Sequence, residues 1–273
     1  MLPQPASSIR LRRLLLTGAD GNLGRELRPR LKAYCETLRL SHRAPIAAAG
    51  PDEEIVSVDL ADADAMLRLL ADVDAVVHMA GVSTEQPWAP ILAGNIVGAY
   101  NLYESARRNG VRRIVYASSN HVTGFYRQDE VVSPRDPLRP DGLYGLSKAF
   151  GENLAQLYWD RYHIETVSVR IGSAFAAPKD RRMLATWMSY DDTERLVVAA
   201  LTAPVVGHSI VYGMSDNATT WWDNTSARHI GYRPQDSSEV FRAEVEARQQ
   251  QLDASDPAVI YQGGAFVRTG PFE

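Results

Sequence analysis

Tyr144 and Lys148 are the residue pair in this sequence best suited to acid–base chemistry. They stand four positions apart in the segment 143–148, and on a helix this spacing places both side chains on one face. A nearby ammonium group stabilises phenolate over phenol and so lowers a pKa that is otherwise about 10. The pair could therefore act as a general base. Because such pairs are common on amphipathic helices, this interpretation depends on the rest of the chain.

A glycine-rich segment near the start of the chain could bind a dinucleotide. Gly18, Gly21 and Gly24 follow a short apolar run that ends at Thr17, and leucines at helical spacing come after them. A turn of this kind brings bare backbone against a pyrophosphate, and the helix contributes free N–H groups and its positive dipole end. We therefore predict a dinucleotide site, with a plain glycine-rich loop as the alternative.

Alternating strands and helices must position these two segments. Most of the predicted strands are continuous apolar runs, which is typical of strands buried on both faces. Strands are predicted at 12–17, 36–40, 55–58, 75–79, 113–118 and 166–170, with helices at 22–34, 62–71, 90–109 and 143–162. This alternation indicates an α/β fold, a doubly wound parallel sheet of the Rossmann type.

The last third of the chain has a less regular pattern. We predict a helix at 191–203, a strand at 208–213, and helices at 221–230 and 236–252. Because there is no repeat or low-complexity linker, we predict a single domain over 1–273. It has a dinucleotide-binding core at 10–170 and a small C-terminal substrate-binding cap and tail at 171–273.

Composition limits the classes of function that are open to the chain. Its 273 residues are 45% hydrophobic and 23% charged, and the net charge of -4 argues against nucleic acid as the main partner. No apolar stretch approaches the roughly 20 residues of a membrane span, and none resembles a signal-peptide core. The single cysteine, Cys35, cannot form an internal disulfide, so a cytoplasmic location is expected. The histidines lack paired-ligand spacing, so no metal site is predicted.

Several motifs in the correct order resemble the extended short-chain dehydrogenase/reductases. Besides the two segments above, the matches are 59–60, 78–81, Asn95 and 117–119. The segments that resemble the uronate dehydrogenase group of this family are 118–121, 140–145, 170–173, 182–187, 221–224 and 262–266. The resemblance implies oxidation of C1 of D-glucuronate or D-galacturonate to an aldaro-lactone, with hydride transfer to NAD(P).

The same resemblance implies roles for individual residues. Tyr144 would take the proton of the C1 hydroxyl, Lys148 would lower the Tyr144 pKa and bind the nicotinamide ribose, and Ser119 would hold the reacting oxygen. Ser118 competes for that last role, but Ser119 lies five residues before Gly124, where the active serine of the family usually falls. The residues implied for the cofactor are Gly18, Gly21, Asn22, Leu23, Gly24, Asp59, Leu60, Met79, Ala80, Gly81, Asn95, Tyr144, Lys148 and Ile171.

A substrate carboxylate requires a cation, and the forked guanidinium of arginine suits it. Arg182 is the predicted partner because it lies in the matching Arg-Met-Leu segment, although Arg181 and Arg182 could instead be a solvated pair. The other residues implied for the sugar are Ser83, Ser119, Asn120, His121, Tyr144, Ser173 and Phe266. For His121 a polar loop residue is the alternative, and Trp221 and Trp222 are predicted to be packing residues.

The loop after the second strand departs from the pattern of NAD-binding folds. Those folds place an acidic residue there to bind the ribose 2′-hydroxyl, whereas this chain has Ser41, His42 and Arg43. No carboxylate repels a 2′-phosphate, and Arg43 can pair with one. The family's familiar activity uses NAD, whereas this loop predicts that NADP is accepted as well.

Two other functions fit the same motifs. A nucleotide-sugar epimerase or dehydratase of the same family retains its cofactor, but the short C-terminal third leaves little room for a nucleotide. A non-catalytic NAD(P)-binding protein is the second alternative, and the intact Ser119, Tyr144 and Lys148 argue against it. We also expect a homo-oligomer that acts on a small sugar acid.

Overall fold

A parallel sheet forms the centre of the protein. The computed structural model describes residues 10–44, 46, 49–248, 253–270 and 272, and over these residues the main sheet has seven strands. In chain order the strands are β1 (Leu11–Thr17), β2 (Cys35–His42), β3 (Glu53–Ser57), β4 (Ala75–His78), β5 (Arg113–Ser119), β6 (Glu165–Ile171), β7 (Ser173–Ala174), β8 (Trp187–Met188) and β9 (His208–Gly213). The sheet order is β3-β2-β1-β4-β5-β6-β9, all parallel, and β7 pairs with β8. The predicted doubly wound fold is therefore confirmed.

Helices cover both faces of the sheet. They are α1 (Asn22–Leu31), α2 (Ala63–Leu69), α3 (Trp88–Ile91), α4 (Gly98–Asn109), α5 (Leu143–Tyr162), α6 (Met183–Thr186), α7 (Tyr190–Thr202), α8 (Arg242–Arg248) and α9 (Pro257–Ile260). A π-helical stretch, Leu92–Val97, joins α3 to α4. Short 3-10 helices lie at Lys32–Tyr34, Asn120–Thr123, Thr225–Ile230, Ser238–Phe241 and Gly264–Arg268.

Two apolar layers hold the helices against the sheet. Helices α1 and α7 share one core cluster, and α2, α4 and α5 share the other. Strand β1 supplies both layers, because Leu14 and Leu16 point to the first and Leu15 to the second, each with no exposed surface. Burial of each such side chain contributes about 1.5–3 kcal/mol, which explains why these strands are continuous apolar runs.

The strand order reverses between β1 and β4. Thr17 at the end of β1 pairs with Ser41 of β2 on one side and His78 of β4 on the other. In open α/β sheets this reversal leaves a crevice at the carboxyl ends of the strands, where ligands bind. The glycine-rich turn, the ends of β2 and β4, and Ser119 at the end of β5 all lie along this edge.

The structure differs from the predictions mainly in the last third. The predicted helix at 221–230 is wrong for 221–224, because Trp222 forms a bridge with Val132 and only Thr225–Ile230 is helical. The predicted helix at 236–252 is a 3-10 turn followed by α8, and its last four positions lie outside the described residues. Strand β9 and helix α7 pack with the sheet, so the division at residue 170 stays a prediction. Within the described ranges, no helix has the length and apolar character that a membrane span requires.

Candidate active site

The glycine-rich turn is too tight for any side chain at two of its positions. Gly18 has a φ of 70°, and a Cβ there would lie 2.7 Å from backbone atoms of Met79 and Ala80. A Cβ on Gly24 would lie 2.1 Å from the Gly18 carbonyl oxygen. Glycine at these positions lets β1, β4 and α1 meet closely, which is the geometry that a dinucleotide pyrophosphate needs.

The first turn of α1 can receive an anion. Gly21 is the N-cap, no side chain caps the turn, and the turn contains no acidic residue. Asn22, Leu23 and Gly24 follow it, and the N–H groups of a first turn have no partners within the helix. Together with the helix dipole, these groups fit the pyrophosphate of a dinucleotide.

The end of β2 forms the adjacent wall of the crevice. Ser41 is buried, and its carbonyl accepts a hydrogen bond from Ala19 in the glycine-rich turn (3.1 Å). His42 is half-buried and Arg43 is exposed. The Ser57 hydroxyl donates to the carbonyls of both His42 (3.1 Å) and Arg43 (2.9 Å), which fixes this backbone.

The ends of β3 and β4 carry the other predicted cofactor residues. Asp59 is exposed and accepts a hydrogen bond from the Ala61 amide (2.9 Å), and Leu60 is half-buried. Asn95 bonds both polar groups of the Val82 backbone and donates to the Ser147 hydroxyl (2.9 Å). The Asn95 amide therefore fixes the loop that contains Gly81 to α5.

Ser119, Tyr144 and Lys148 lie together at the carboxyl end of β5. All three are buried, and the Ser119 hydroxyl is close enough to Tyr144 to lower the pKa of the phenol. The Lys148 ammonium donates to the Ala117 carbonyl (2.8 Å) and lies 5.8 Å from the centre of the Tyr144 ring. Ser118, in contrast, donates to the buried carboxylate of Glu152 (2.6 Å), two helical turns further along α5 than Tyr144.

Burial affects the ionisation of Tyr144 more than Lys148 does. It raises the pKa of Tyr144 to about 12, and the hydrogen bond from Ser119 acts in the opposite direction. Burial also lowers the pKa of Lys148 to about 8. The predicted lowering of the Tyr144 pKa toward neutrality is therefore not produced by these protein groups alone. A bound oxidised nicotinamide ring would add a positive charge that favours the phenolate.

Arg182 is a half-buried cation that has no carboxylate within salt-bridge distance among the described residues. Its Nε donates to the Gln262 carbonyl (2.7 Å) and one Nη donates to the Ser173 hydroxyl (3.4 Å). The Asn120 amide, oriented to satisfy both of its neighbours, accepts from the other Nη (2.8 Å) and donates to the Ile171 carbonyl (3.0 Å). Burial lowers the pKa of Arg182, as expected for a cation that lacks a counter-ion.

His121 belongs to a buried pair beside the base. Its Nδ1 lies 2.6 Å from Asp141 Oδ2, and its ring stacks on Phe266 with centroids 3.8 Å apart. The ring also meets the edge of Tyr144 at 5.8 Å. Burial lowers the His121 pKa and the Asp141 carboxylate opposes this shift. An Nδ1–H donated to a carboxylate leaves Nε2 as an acceptor, which suits a sugar hydroxyl.

Three residues that support the site were not assigned roles from the sequence. The Glu85 carboxylate accepts from the amides of Leu143 and Tyr144 (2.8 Å each) and so caps α5. Asp141 holds His121, and Gln262 holds Arg182. Glu85 lies 58 positions from Leu143 in the chain, so no local pattern could have revealed this cap.

Three remaining residues have simpler surroundings. Ser83 is exposed and lies two positions before Glu85 on the same loop. Trp222 is buried and stacks on Tyr212 with centroids 4.7 Å apart, and Trp221 joins the same cluster, which agrees with the packing role predicted for both tryptophans. In the described part of the chain, no group of three or more His, Cys, Asp or Glu side chains could hold a metal ion.

The chain matches a known protein family over most of its length. The family model described as the NAD dependent epimerase/dehydratase family matches residues 14–205, which is more than half of the chain. The chain belongs to the NAD dependent epimerase/dehydratase family. The glycine-rich turn and the Ser119, Tyr144 and Lys148 group both fall within the part of the chain that this family model covers.

Members of this family are similar to the chain over nearly their whole length. A uronate dehydrogenase of Pseudomonas putida is 58% identical over 261 residues, which are 95% of this chain and 97% of the relative. The crystal structure of a glucuronic acid dehydrogenase from Chromohalobacter salexigens is 52% identical, with a TM-score of 0.94 and coverage of 95% and 98%. A mutant uronate dehydrogenase from Agrobacterium tumefaciens, complexed with NAD, is 48% identical, with a TM-score of 0.94 and coverage of 96% and 99%. The predicted resemblance is confirmed.

Proposed function

We propose that the protein is a uronate dehydrogenase, which oxidises C1 of D-glucuronate or D-galacturonate to the aldaro-lactone and transfers the hydride to NAD. The observation that carries the proposal is Arg182, a cation without a carboxylate partner in the described residues. It shares contacts with Asn120 and Ser173 beside the buried Ser119 and Tyr144. A sugar carboxylate would complete this arrangement.

The chemistry follows from the positions of these side chains. Tyr144, as phenolate, accepts the proton of the C1 hydroxyl while the C1 hydride leaves. Ser119 donates to the reacting oxygen and holds it within reach of Tyr144. Lys148 supplies fixed positive charge beside the phenolate and binds the nicotinamide ribose. NAD accepts the hydride when it is bound, and the glycine-rich turn of β1 and α1 would hold its pyrophosphate.

An assay of net redox change tests this function directly. We expect glucuronate and galacturonate, each supplied with NAD, to produce NADH in proportion to the sugar that is oxidised. An epimerase or dehydratase would convert its substrate without net NADH formation, because it restores its cofactor in each cycle. A non-catalytic protein would bind NAD and turn over neither sugar acid.

Removal of Arg182, the proposed partner of the substrate carboxylate, should change the specificity of the enzyme. We expect Arg182→Ala to lower kcat/KM for glucuronate by roughly 30-fold, corresponding to the ~2 kcal/mol lower end for one partner of a charge pair. A neutral aldose lacks the carboxylate, so its kcat/KM should change much less. The matched control is Arg181→Ala, which removes the neighbouring guanidinium. Equal losses for the acidic and the neutral sugar would place the carboxylate elsewhere.

A homo-oligomer and a cytoplasmic location complete the proposal. Leu146, Phe150 and Leu157 lie along one stripe of α5 and are 49%, 37% and 47% exposed, and such apolar stripes are typical of contact surfaces. Cys35 is a free, buried thiol, which is compatible with a reducing compartment. We expect Phe150→Glu to lower the mass measured by light scattering, and an unchanged mass would contradict the use of this stripe.

A further inference from the structure

The segment Gln262–Gly264 of the C-terminal tail contacts the side chain that we assign to the substrate carboxylate. The Gln262 carbonyl accepts a hydrogen bond from Arg182 Nε at 2.7 Å, across 80 positions of the chain. This contact uses the nitrogen at the base of the guanidinium fork and leaves the two Nη groups directed toward Ser173 and Asn120. The tail backbone therefore determines which edge of the guanidinium faces the sugar pocket.

Both polar atoms of the Gln262 side chain are hydrogen-bonded. Its Oε1 accepts from the indole N–H of Trp222 (3.0 Å), and its Nε2 donates to the carbonyls of Arg127 and Glu130 (2.9 Å each). Its backbone amide donates to the Tyr126 carbonyl (2.8 Å). Only 1% of the residue is exposed. Such complete satisfaction of a buried amide fixes the position of the carbonyl that Arg182 contacts.

Gly264 provides the space in which the Arg182 side chain lies. Its φ is 62°, and a Cβ there would lie 2.5 Å from Arg182 Cδ and 2.7 Å from Nε. Any side chain at this position would therefore displace Arg182. Phe266, two positions later in the C-terminal tail, stacks on His121. The tail therefore also forms a wall of the proposed sugar pocket.

Two nearby aspartates could compete with the substrate carboxylate for Arg182. The carboxylates of Asp180 and Asp141 both act on its charge, although neither forms a salt bridge with it in the described structure. The Asp180 carboxylate instead accepts from the Met183 amide (2.8 Å). A long arginine side chain freed from the tail would have other rotamers available to it, and ion pairing with Asp180 would then compete with the substrate carboxylate.

We propose that the Gln262–Gly264 segment is the positioning element of the carboxylate site, which keeps Arg182 directed at the sugar and makes the C-terminal tail a determinant of the preference for acidic sugars. This inference rests on the proposed function. Gln262 and Gly264 do not touch the reacting atoms. They act through Arg182, so their effect should appear in substrate affinity and leave the chemical step intact.

Gly264→Ala is the direct test, and Gly110→Ala is its matched control. Both glycines have a positive φ, 62° and 71°, but a Cβ on Gly110 would meet nothing within 4 Å. The two variants therefore share the backbone strain, and only the first displaces Arg182. We expect Gly264→Ala to raise the KM for glucuronate at least tenfold, with kcat within threefold of wild type and the KM for NAD unchanged. Gly110→Ala should leave all three constants near their wild-type values.

A second variant and a binding measurement keep the test independent of folding defects. Trp222→Phe removes one hydrogen bond to Gln262 and retains an aromatic ring against Tyr212, so we expect the KM for glucuronate to rise severalfold. Calorimetric titration of glucuronate into the protein with NADH, a pair that cannot react, should show the same loss of affinity in both variants. Thermal unfolding of each variant identifies a general loss of stability.

The outcomes separate this inference from the proposed function. Wild-type oxidation of glucuronate combined with equal KM values in Gly264→Ala and Gly110→Ala would overturn the role of the tail alone. A fall in kcat without a change in glucuronate binding would also overturn it. Absence of glucuronate oxidation and of glucuronate binding by the wild type would overturn both proposals.

Discussion

Replacement of Tyr144 by phenylalanine is expected to lower kcat at least ~10²-fold, the lower end for loss of a general base. The substitution removes a single oxygen from a ring that is 7% exposed, so the pocket keeps its shape. The site would lose the group that accepts the C1 proton and would keep Lys148 and the glycine-rich turn. The measurement is the steady-state rate of NADH formation with saturating glucuronate, together with NAD affinity from fluorescence titration. NAD affinity should be nearly unchanged.

Tyr116→Phe is the matched control for this experiment. Tyr116 is a second buried phenol near Lys148, with the ammonium 5.3 Å from its ring centre. Its removal should leave kcat within threefold of wild type, because it is not bonded to Ser119. Activity of Tyr144→Phe within threefold of wild type would exclude Tyr144 as the base.

Replacement of Arg43 by alanine is expected to weaken NADP binding by about 1.5 to 3 kcal/mol, the usual range for a hydrogen bond to a charged group. NAD binding should be nearly unchanged. The sequence contains no Asp or Glu from Ser41 to Pro51, so no carboxylate from this loop would oppose a 2′-phosphate. Conversely, His42→Asp should favour NAD, because a carboxylate accepts the 2′-hydroxyl and repels phosphate. The measurement is kcat/KM for both cofactors in wild type and in each variant.

Arg135→Ala provides a control for net charge, because Arg135 is an exposed arginine outside this loop. It should change neither cofactor constant. A wild type that strongly prefers NAD, combined with equal effects of Arg43→Ala on both cofactors, would show that this loop does not contact the ribose.

The sequence predicted the fold because the buried strands can be recognised from their own residues. Continuous apolar runs such as Leu14 to Leu16 can only be satisfied between two helical layers, and the glycine spacing identifies the turn that follows them. Position 222 shows the limit of this reasoning. The backbone around Trp222 bridges to Val132 and the Trp222 indole donates to Gln262, and such long-range contacts override a helical pattern.

The sequence predicted several residues that the structure brings together at the candidate site, but it did not predict the residues that support them. Ser119 was separated from Ser118 by its position before Gly124, and the structure places only Ser119 beside Tyr144. The supports Glu85, Asp141 and Gln262 contact their partners across 58, 20 and 80 positions of the chain, respectively. No periodicity encodes contacts of this range, because they arise from the sheet order and from the return of the tail to the pocket.

The different partners of Ser118 and Ser119 limit how this enzyme can change during evolution. Ser119 stands beside Tyr144, whereas Ser118 donates to the buried Glu152, which also pairs with Arg170 (2.8 Å). A single inserted or deleted residue within β5 would shift both serines out of register with these partners, removing Ser119 from Tyr144 and a hydrogen bond from the core in one event. We therefore expect homologous chains to vary in the length of their loops while the length of β5 stays constant.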